Sequence, residues 1–159
     1  MTERPEVRLG MPARPEGVGV VRQALAGMAD ALAFDPGVLA DMKMAVTEAC
    51  TNVVVHAYAD EDEGAGDDDG ALEVDLLADE LGLTVVVRDE GAGIESRASR
   101  STPALGLGLP LIAALSDAFE VRTPSAGGTE VRMTFAYARE GDPVEFNPID
   151  ETGWEPPGG

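Results

Sequence analysis

The sequence predicts an α+β protein, a two-layer α/β sandwich in which a mostly antiparallel sheet carries its helices on one face. The segments read in the order strand, helix, helix, two strands, helix, two strands, and short connections (78–82 and 123–128) join both strand pairs. Hairpin-linked strands with segregated helices are typical of this class, whereas a doubly wound fold needs strands and helices that alternate regularly. The 159 residues are 44% apolar and only 4% aromatic, enough for one domain with an aliphatic core.

The first strand and the first two helices are predicted by hydropathy and by a helix-start signal. Residues 7–11 form a short predicted strand, and residues 17–33 carry apolar side chains at three- and four-residue spacing, which predicts a helix. Asp35 and Pro36 predict the start of a second helix, because aspartate caps free N–H groups and proline suits the first position. That helix is predicted to run to about Tyr58, with one face made of Leu39, Met42, Val46, Ala49 and Val53.

The second half of the chain reads as strands around one further helix. The predicted strands are 72–78, 83–87, 119–122 and 130–136, and the predicted helix is 105–116. Residues 60–70 are almost entirely acidic or small and predict a solvated loop, either a tolerated insertion or a partner contact. Residues 139–159, with four prolines and Trp154, predict an extended or flexible acidic tail.

The composition excludes several classes of function. A net charge of −19 argues against direct binding to DNA or RNA, and it fits either a basic protein partner or simple solubility. Cys50 is the only cysteine, so no disulfide framework is possible. Lys43 is the only lysine and the P-loop pattern is missing. No run approaches the roughly 20 apolar residues of a membrane span, and a soluble, cytoplasmic protein is expected.

Glu48 and Asn52 form the first candidate site. They lie four residues apart on the second predicted helix, on a flank beside the apolar stripe. A carboxamide oxygen suits Mg²⁺, and a carboxylate can accept the proton of an attacking hydroxyl. Helix flanks often carry these residue types without a function, so the pair alone leaves both interpretations open.

Three glycine-containing motifs form the other candidates. Asp89 ends a buried strand ahead of Gly91 and Gly93, where it could accept a hydrogen bond from an amine such as adenine N6. Residues 106–108 (Gly-Leu-Gly) open a helix, whose free N–H groups favour phosphates. Residues 127–129 (Gly-Gly-Thr) enter a strand. Each motif is also compatible with an ordinary glycine-rich turn.

In their order and setting, these motifs resemble the anti-sigma-factor serine kinases of the general-stress and sporulation type. Those kinases belong to the Bergerat-fold ATPases, a group shared with gyrase and histidine kinases. The resemblance covers about residues 7–137, and its first stretch, MPARPEGVGVVR, is specific to that branch. The other segments are LADMKMAVTEACTNVVVHAY, VVVRDEGAGI, ALGLGLPLIAALSDAFEV and GGTEVRMTF.

The resemblance implies a role for each motif position. Asn52 corresponds to the asparagine that binds Mg²⁺, and Glu48 to the general base for a protein serine hydroxyl. Asp89 corresponds to the aspartate that reads adenine, with Thr129 supporting the same pocket. The two glycine boxes supply the remaining nucleotide-binding positions, which are Gly91, Gly93, Gly106, Leu107 and Gly108.

The resemblance also implies cofactors and partners. Such kinases bind ATP with Mg²⁺, hold a sigma factor away from RNA polymerase, usually as homodimers, and phosphorylate a serine on a small anti-anti-sigma protein of the STAS type. Residues 1–138 would form the kinase domain. The lid, residues 94–105, is shorter than in the kinases it resembles, and could close poorly over the γ-phosphate. Arg97 and Arg100 within it either neutralise phosphate charge or are solvated.

Two other functions stay open at this point. The short lid also fits a nucleotide-binding module that sequesters a signalling protein with little or no kinase turnover. A histidine kinase catalytic domain shares the glycine boxes, but the chain leaves no room for a dimerising helical hairpin. His56, the only histidine, follows the predicted metal-binding helix, where a packing or surface role is expected.

Overall fold

A computed structural model describes residues 6–59, 70–89, 105–125 and 127–137. Every predicted helix and strand is present, with ends that differ from the predicted ones by one or two residues. The strands are β1 (Glu6–Pro12), β2 (Ala71–Ala78), β3 (Gly82–Asp89), β4 (Ala118–Arg122) and β5 (Thr129–Ala136), and the helices are α1 (Pro15–Ala31), α2 (Pro36–Ala59) and α3 (Leu105–Leu115). The predicted acidic loop, the lid and the tail after Tyr137 lie outside the described residues, apart from Gly70 and Leu105.

The five strands form one sheet in the order β1-β2-β3-β5-β4, and all four pairings are antiparallel. Side chains alternate between its two faces. The face that meets the helices is apolar, and its central side chains, such as Leu76, Val85 and Met133, are fully buried. The opposite face carries charged side chains. This arrangement confirms the predicted α+β sandwich with helices on one face.

Helix α2 lies at the centre of the helical layer, and α1 and α3 both pack against it. The predicted apolar face is confirmed, since Met42 and Val46 are fully buried. Its start is confirmed too: the Asp35 carboxylate accepts a hydrogen bond from the Gly37 N–H at 2.9 Å. Among the described residues, no helix is both long and apolar enough to cross a membrane.

Helix α1 ends in a left-handed residue that is not glycine. Ala33 has φ of 57°, and the N–H of Phe34 donates back to the carbonyl of Ala29 at 3.0 Å. The Ala33 N–H donates to Asp30 in the same way, so two otherwise unpaired carbonyls of the last turn are satisfied.

The second glycine box lies in the first turn of α3. Helix α3 begins at Leu105, so Gly106 and Gly108 are its second and fourth residues. The first four N–H groups of any helix have no partner within it. Residues 105–108 therefore still direct unpaired N–H groups toward the start of the helix, which keeps the predicted phosphate site possible.

Candidate functional site

The start of α3 contacts the polar flank of α2. Gly108 is buried, and a β-carbon at this position would lie 3.0 Å from Asn52 Nδ2 and 3.6 Å from Glu48 Oε2. Both α2 side chains are half-buried, so neither is part of the apolar core. The fold thus brings Glu48, Asn52 and the second glycine box into one group, which we call the α2–α3 group.

A second group joins the ends of β3 and β5. Asp89 and Thr129 are paired in the sheet register, and the Thr129 N–H donates to Asp89 Oδ1 at 3.1 Å. Gly128, with φ of +82°, lies against the carbonyl of Asp89 so closely that a β-carbon would clash with it. Both the backbone conformation and the lack of space exclude any residue with a side chain at this position. The glycine therefore allows Asp89 and Thr129 to meet.

This second group contains a buried hydroxyl, that of Thr129. Thr129 is 7% exposed, and within the described ranges its Oγ1 has no hydrogen-bond partner. A buried polar atom without a partner costs about 1–3 kcal/mol, and most such atoms in native proteins have one. A bound molecule that presents a donor or acceptor would satisfy it, beside a carboxylate that accepts hydrogen bonds from amines.

The donor set of the α2–α3 group fits Mg²⁺ bound with a nucleotide. In the part of the chain described here, no cluster of three or more His, Cys, Asp or Glu side chains could hold a metal ion by itself. Mg²⁺ usually takes only one or two protein oxygens and completes its shell with phosphate oxygens and water. The Asn52 amide oxygen meets that need, and Gly108 itself places no side chain against the amide.

A groove beside Glu48 was not foreseen from the sequence. It has a volume of about 340 Å³ and lies between α1 and α2, lined by Arg22, Ala40, Lys43, Met44, Thr47 and Glu48. The sequence offers only a weak signal for this groove. Residues 44 and 48 are four positions apart on the helix, as are residues 43 and 47, so the members of each pair are neighbours on the helix surface. Glu48 therefore borders this groove as well as the start of α3.

The remaining predicted positions divide into two kinds. Gly91, Gly93, Arg97 and Arg100 lie outside the described residues. Gly106 and Leu107 lie within the first turn of α3, where the backbone alone is described. The structure therefore places Glu48, Asn52 and Gly108 in one group, and Asp89 and Thr129 in another.

Comparisons with known proteins identify the family of the chain. The family described as histidine kinase-like ATPase domain matches residues 11–135. The serine-protein kinase RsbW of Bacillus pumilus is 35% identical over 84% of this chain and 87% of its own length. RsbW of Bacillus subtilis is 34% identical over 80% of this chain and 83% of its own. The chain therefore belongs to the histidine kinase-like ATPase family and, within it, to the serine-protein kinases of the RsbW type.

Two solved structures share the fold. One chain of the SiaB–SiaC complex from Pseudomonas aeruginosa superposes with a TM-score of 0.61 at 16% identity, over 81% of this chain and 89% of the other. A protein from Mycobacterium tuberculosis that contains RsbU and RsbW domains gives a TM-score of 0.58 at 22% identity. That match covers 83% of this chain and 32% of the other. At these identities the two structures support the fold alone.

Proposed function

We propose that this serine kinase binds ATP with Mg²⁺, sequesters a sigma factor and phosphorylates a serine on an anti-anti-sigma protein of the STAS type. The observation that carries the proposal is the closeness of Gly108 to Asn52 and Glu48, since a β-carbon on the glycine would lie 3.0 Å and 3.6 Å from their side chains. This arrangement brings the start of a helix, whose free N–H groups favour phosphates, close to an amide oxygen suited to Mg²⁺ and to a carboxylate that can accept a proton.

In this proposal, each described residue has one task. Asp89 accepts a hydrogen bond from the adenine amine, and the buried Thr129 hydroxyl gains its missing partner from the same ligand. Asn52 holds Mg²⁺, which supplies positive charge to the phosphates when it is bound. Glu48 accepts the proton of the serine hydroxyl as that oxygen attacks the γ-phosphorus and ADP leaves. The open groove beside Glu48 lets a serine of another protein reach it.

The proposal extends to the assembly and to the residues outside the described ranges. Residues 1–138 would form the kinase domain of a cytoplasmic homodimer, and residues 139–159 an acidic tail. Gly91 and Gly93 would approach the nucleotide closely, and Arg97 and Arg100 would neutralise phosphate charge from the lid. The net charge of −19 supports protein partners over nucleic acid.

Transfer of labelled phosphate tests the kinase half of the proposal. The purified protein would be incubated with γ-labelled ATP, Mg²⁺ and an unphosphorylated anti-anti-sigma protein. Glu48→Gln is expected to slow transfer by about 10²- to 10⁴-fold, the usual contribution of a general base, and to leave the Kd for Mg·ATP within about twofold. Asn52→Ala is expected to weaken Mg·ATP binding itself.

Glu80→Gln is the matched control, because Glu80 is an exposed carboxylate on the β2–β3 hairpin. Wild-type rates for Glu48→Gln would remove Glu48 from the role of base. The alternative, sequestration with little or no turnover, is favoured by one specific result. That result is stable capture of a sigma factor and intact ATP binding, with no serine labelled by the wild-type protein.

A further inference from the structure

The open face of the sheet carries an arginine directly behind the Asp89–Thr129 pair. Arg88 precedes Asp89 on β3, and Glu130 follows Thr129 on β5, and these two residues are also partners in the sheet register. Because neighbouring side chains of a strand point to opposite faces, Asp89 and Thr129 face the helices while Arg88 and Glu130 face away. One pair of strand ends thus carries both the proposed adenine contacts and a charged pair.

Arg88 joins three strands. Its Nη1 donates to Asp75 Oδ2 on β2 at 2.7 Å, and its Nε donates to Glu130 Oε2 on β5 at 3.0 Å. The two carboxylates are largely covered, with 13% of each side chain exposed, and 32% of the arginine is exposed. The hydrogen bond to Asp75 raises the pKa of Arg88 above its ordinary value, with a further contribution from Glu130. The cation is therefore present throughout the working pH range.

Three other ion pairs of the described residues each stay on one strand, and one of them joins Arg132 to Glu130 at 3.6 Å along β5. Arg122 pairs with Glu120, and Arg8 pairs with Glu6, in each case two residues apart on an edge strand. Their side chains are about half exposed or more, apart from Glu6 at 44%. Exposed pairs of this kind contribute little to stability. The planar guanidinium of Arg88 instead spans β3 with two separate donors, which a lysine ammonium does not reproduce.

We propose that Arg88 is a positioning residue for recognition of the nucleotide base. By holding Asp75 and Glu130 on either side of β3, it keeps the ends of β3 and β5 in register, and so fixes Asp89 against Thr129. The inference rests on the proposed function, in which Asp89 and Thr129 read adenine. Loss of Arg88 would remove the cation that joins Asp75 to Glu130 across β3 and would leave Glu130 with the longer, 3.6 Å contact to Arg132 on its own strand, so the strand ends would separate at the site.

The test compares ATP with GTP, because only the base differs between them. The Kd for each nucleotide would be measured by calorimetry for the wild type, Arg88→Met and the control Arg8→Met, an exposed arginine on the same face. Arg88→Met is expected to weaken ATP binding about tenfold and GTP binding by less than twofold. Arg88→Lys is expected to lie between the wild type and Arg88→Met, and Arg8→Met is expected to match the wild type.

A double-mutant cycle separates positioning from general destabilisation. In the Asp89→Asn background, Arg88→Met is expected to change the Kd for ATP by less than twofold, because its effect passes through Asp89. An equal tenfold loss in both backgrounds, or an unchanged ATP-to-GTP preference in Arg88→Met, would overturn the inference. Glu130→Ala, which removes one of the two bonds, provides the same readout if Arg88→Met does not fold.

Failure of the proposed function has a different signature. A wild-type protein that binds ATP and GTP equally, and is unaffected by Asp89→Asn, would show that Asp89 does not read the base. The proposed positioning role of Arg88 would then fail as well. If the wild type prefers ATP and Asp89→Asn removes that preference, the comparison of Arg88→Met with Arg8→Met decides the inference alone.

Discussion

A methyl group at Gly108 is predicted to damage nucleotide binding without unfolding the protein. In Gly108→Ala the new carbon would lie 3.0 Å from Asn52 Nδ2, whereas ordinary contact distances start at about 3.5 Å. The amide would have to move by about 0.5 Å. Glu48 Oε2, at 3.6 Å, is already at a normal distance and need not move.

The size of the effect follows from what that amide is proposed to do. Mg²⁺ requires its oxygen ligands at about 2.0–2.1 Å in near-octahedral geometry, so a shift of half an ångström removes the Asn52 oxygen from its place. Losing a hydrogen bond or ligand contact to a charged group costs about 1.5–3 kcal/mol, which corresponds to at least a tenfold rise in Kd. Alanine also favours the helix over glycine by up to about 1 kcal/mol, which offsets the crowding in the folded state.

Calorimetric titration with Mg·ATP, together with urea denaturation, measures both quantities. The matched control is Gly27→Ala on α1, where a β-carbon would meet no atom within 4 Å. Gly27→Ala is expected to raise stability by up to about 1 kcal/mol and to leave the Kd unchanged. A Kd for Gly108→Ala within twofold of the wild type, in a folded protein, would refute the proposed link between Asn52 and Mg·ATP.

Two further predictions concern stability. Ala33→Gly is expected to raise the free energy of unfolding by about 0.5–1 kcal/mol, because Ala33 is left-handed and glycine adopts that conformation without strain; a lower urea midpoint would contradict this. Burial raises the pKa of the Cys50 thiol to about 12, from 9.0. Between those pH values the unfolded chain binds fewer protons, so stability is expected to fall by about 1.4 kcal/mol per pH unit. Denaturation from pH 8 to 11 measures that fall; a Cys50→Ala variant should lack this contribution, and an equal slope in both proteins would exclude it.

The sequence predicted the elements of this fold because their signals are local. The apolar stripe of α1, the Asp35-Pro36 start of α2 and the alternation of β2 each depend on residues within a few turns of one another. The family resemblance then assigned roles to Glu48, Asn52, Asp89 and Thr129. The sequence order did not show that β5 pairs with β3 and leaves β4 at the edge, since that order depends on packing between distant segments.

What the sequence by itself determined is therefore the fold class, the element boundaries to within about two residues and the chemical types at the site. The tertiary structure alone decided which of these residues meet. Gly108 reaches Asn52 because α3 packs on α2, and Thr129 reaches Asp89 because β5 pairs with β3. The bridge from Arg88 to Asp75 and Glu130 depends on both neighbours of β3. The two hydrogen bonds of this bridge join residues that are 13 and 42 positions apart in the sequence. At such separations the periodicity of the sequence carries no information about distance in space.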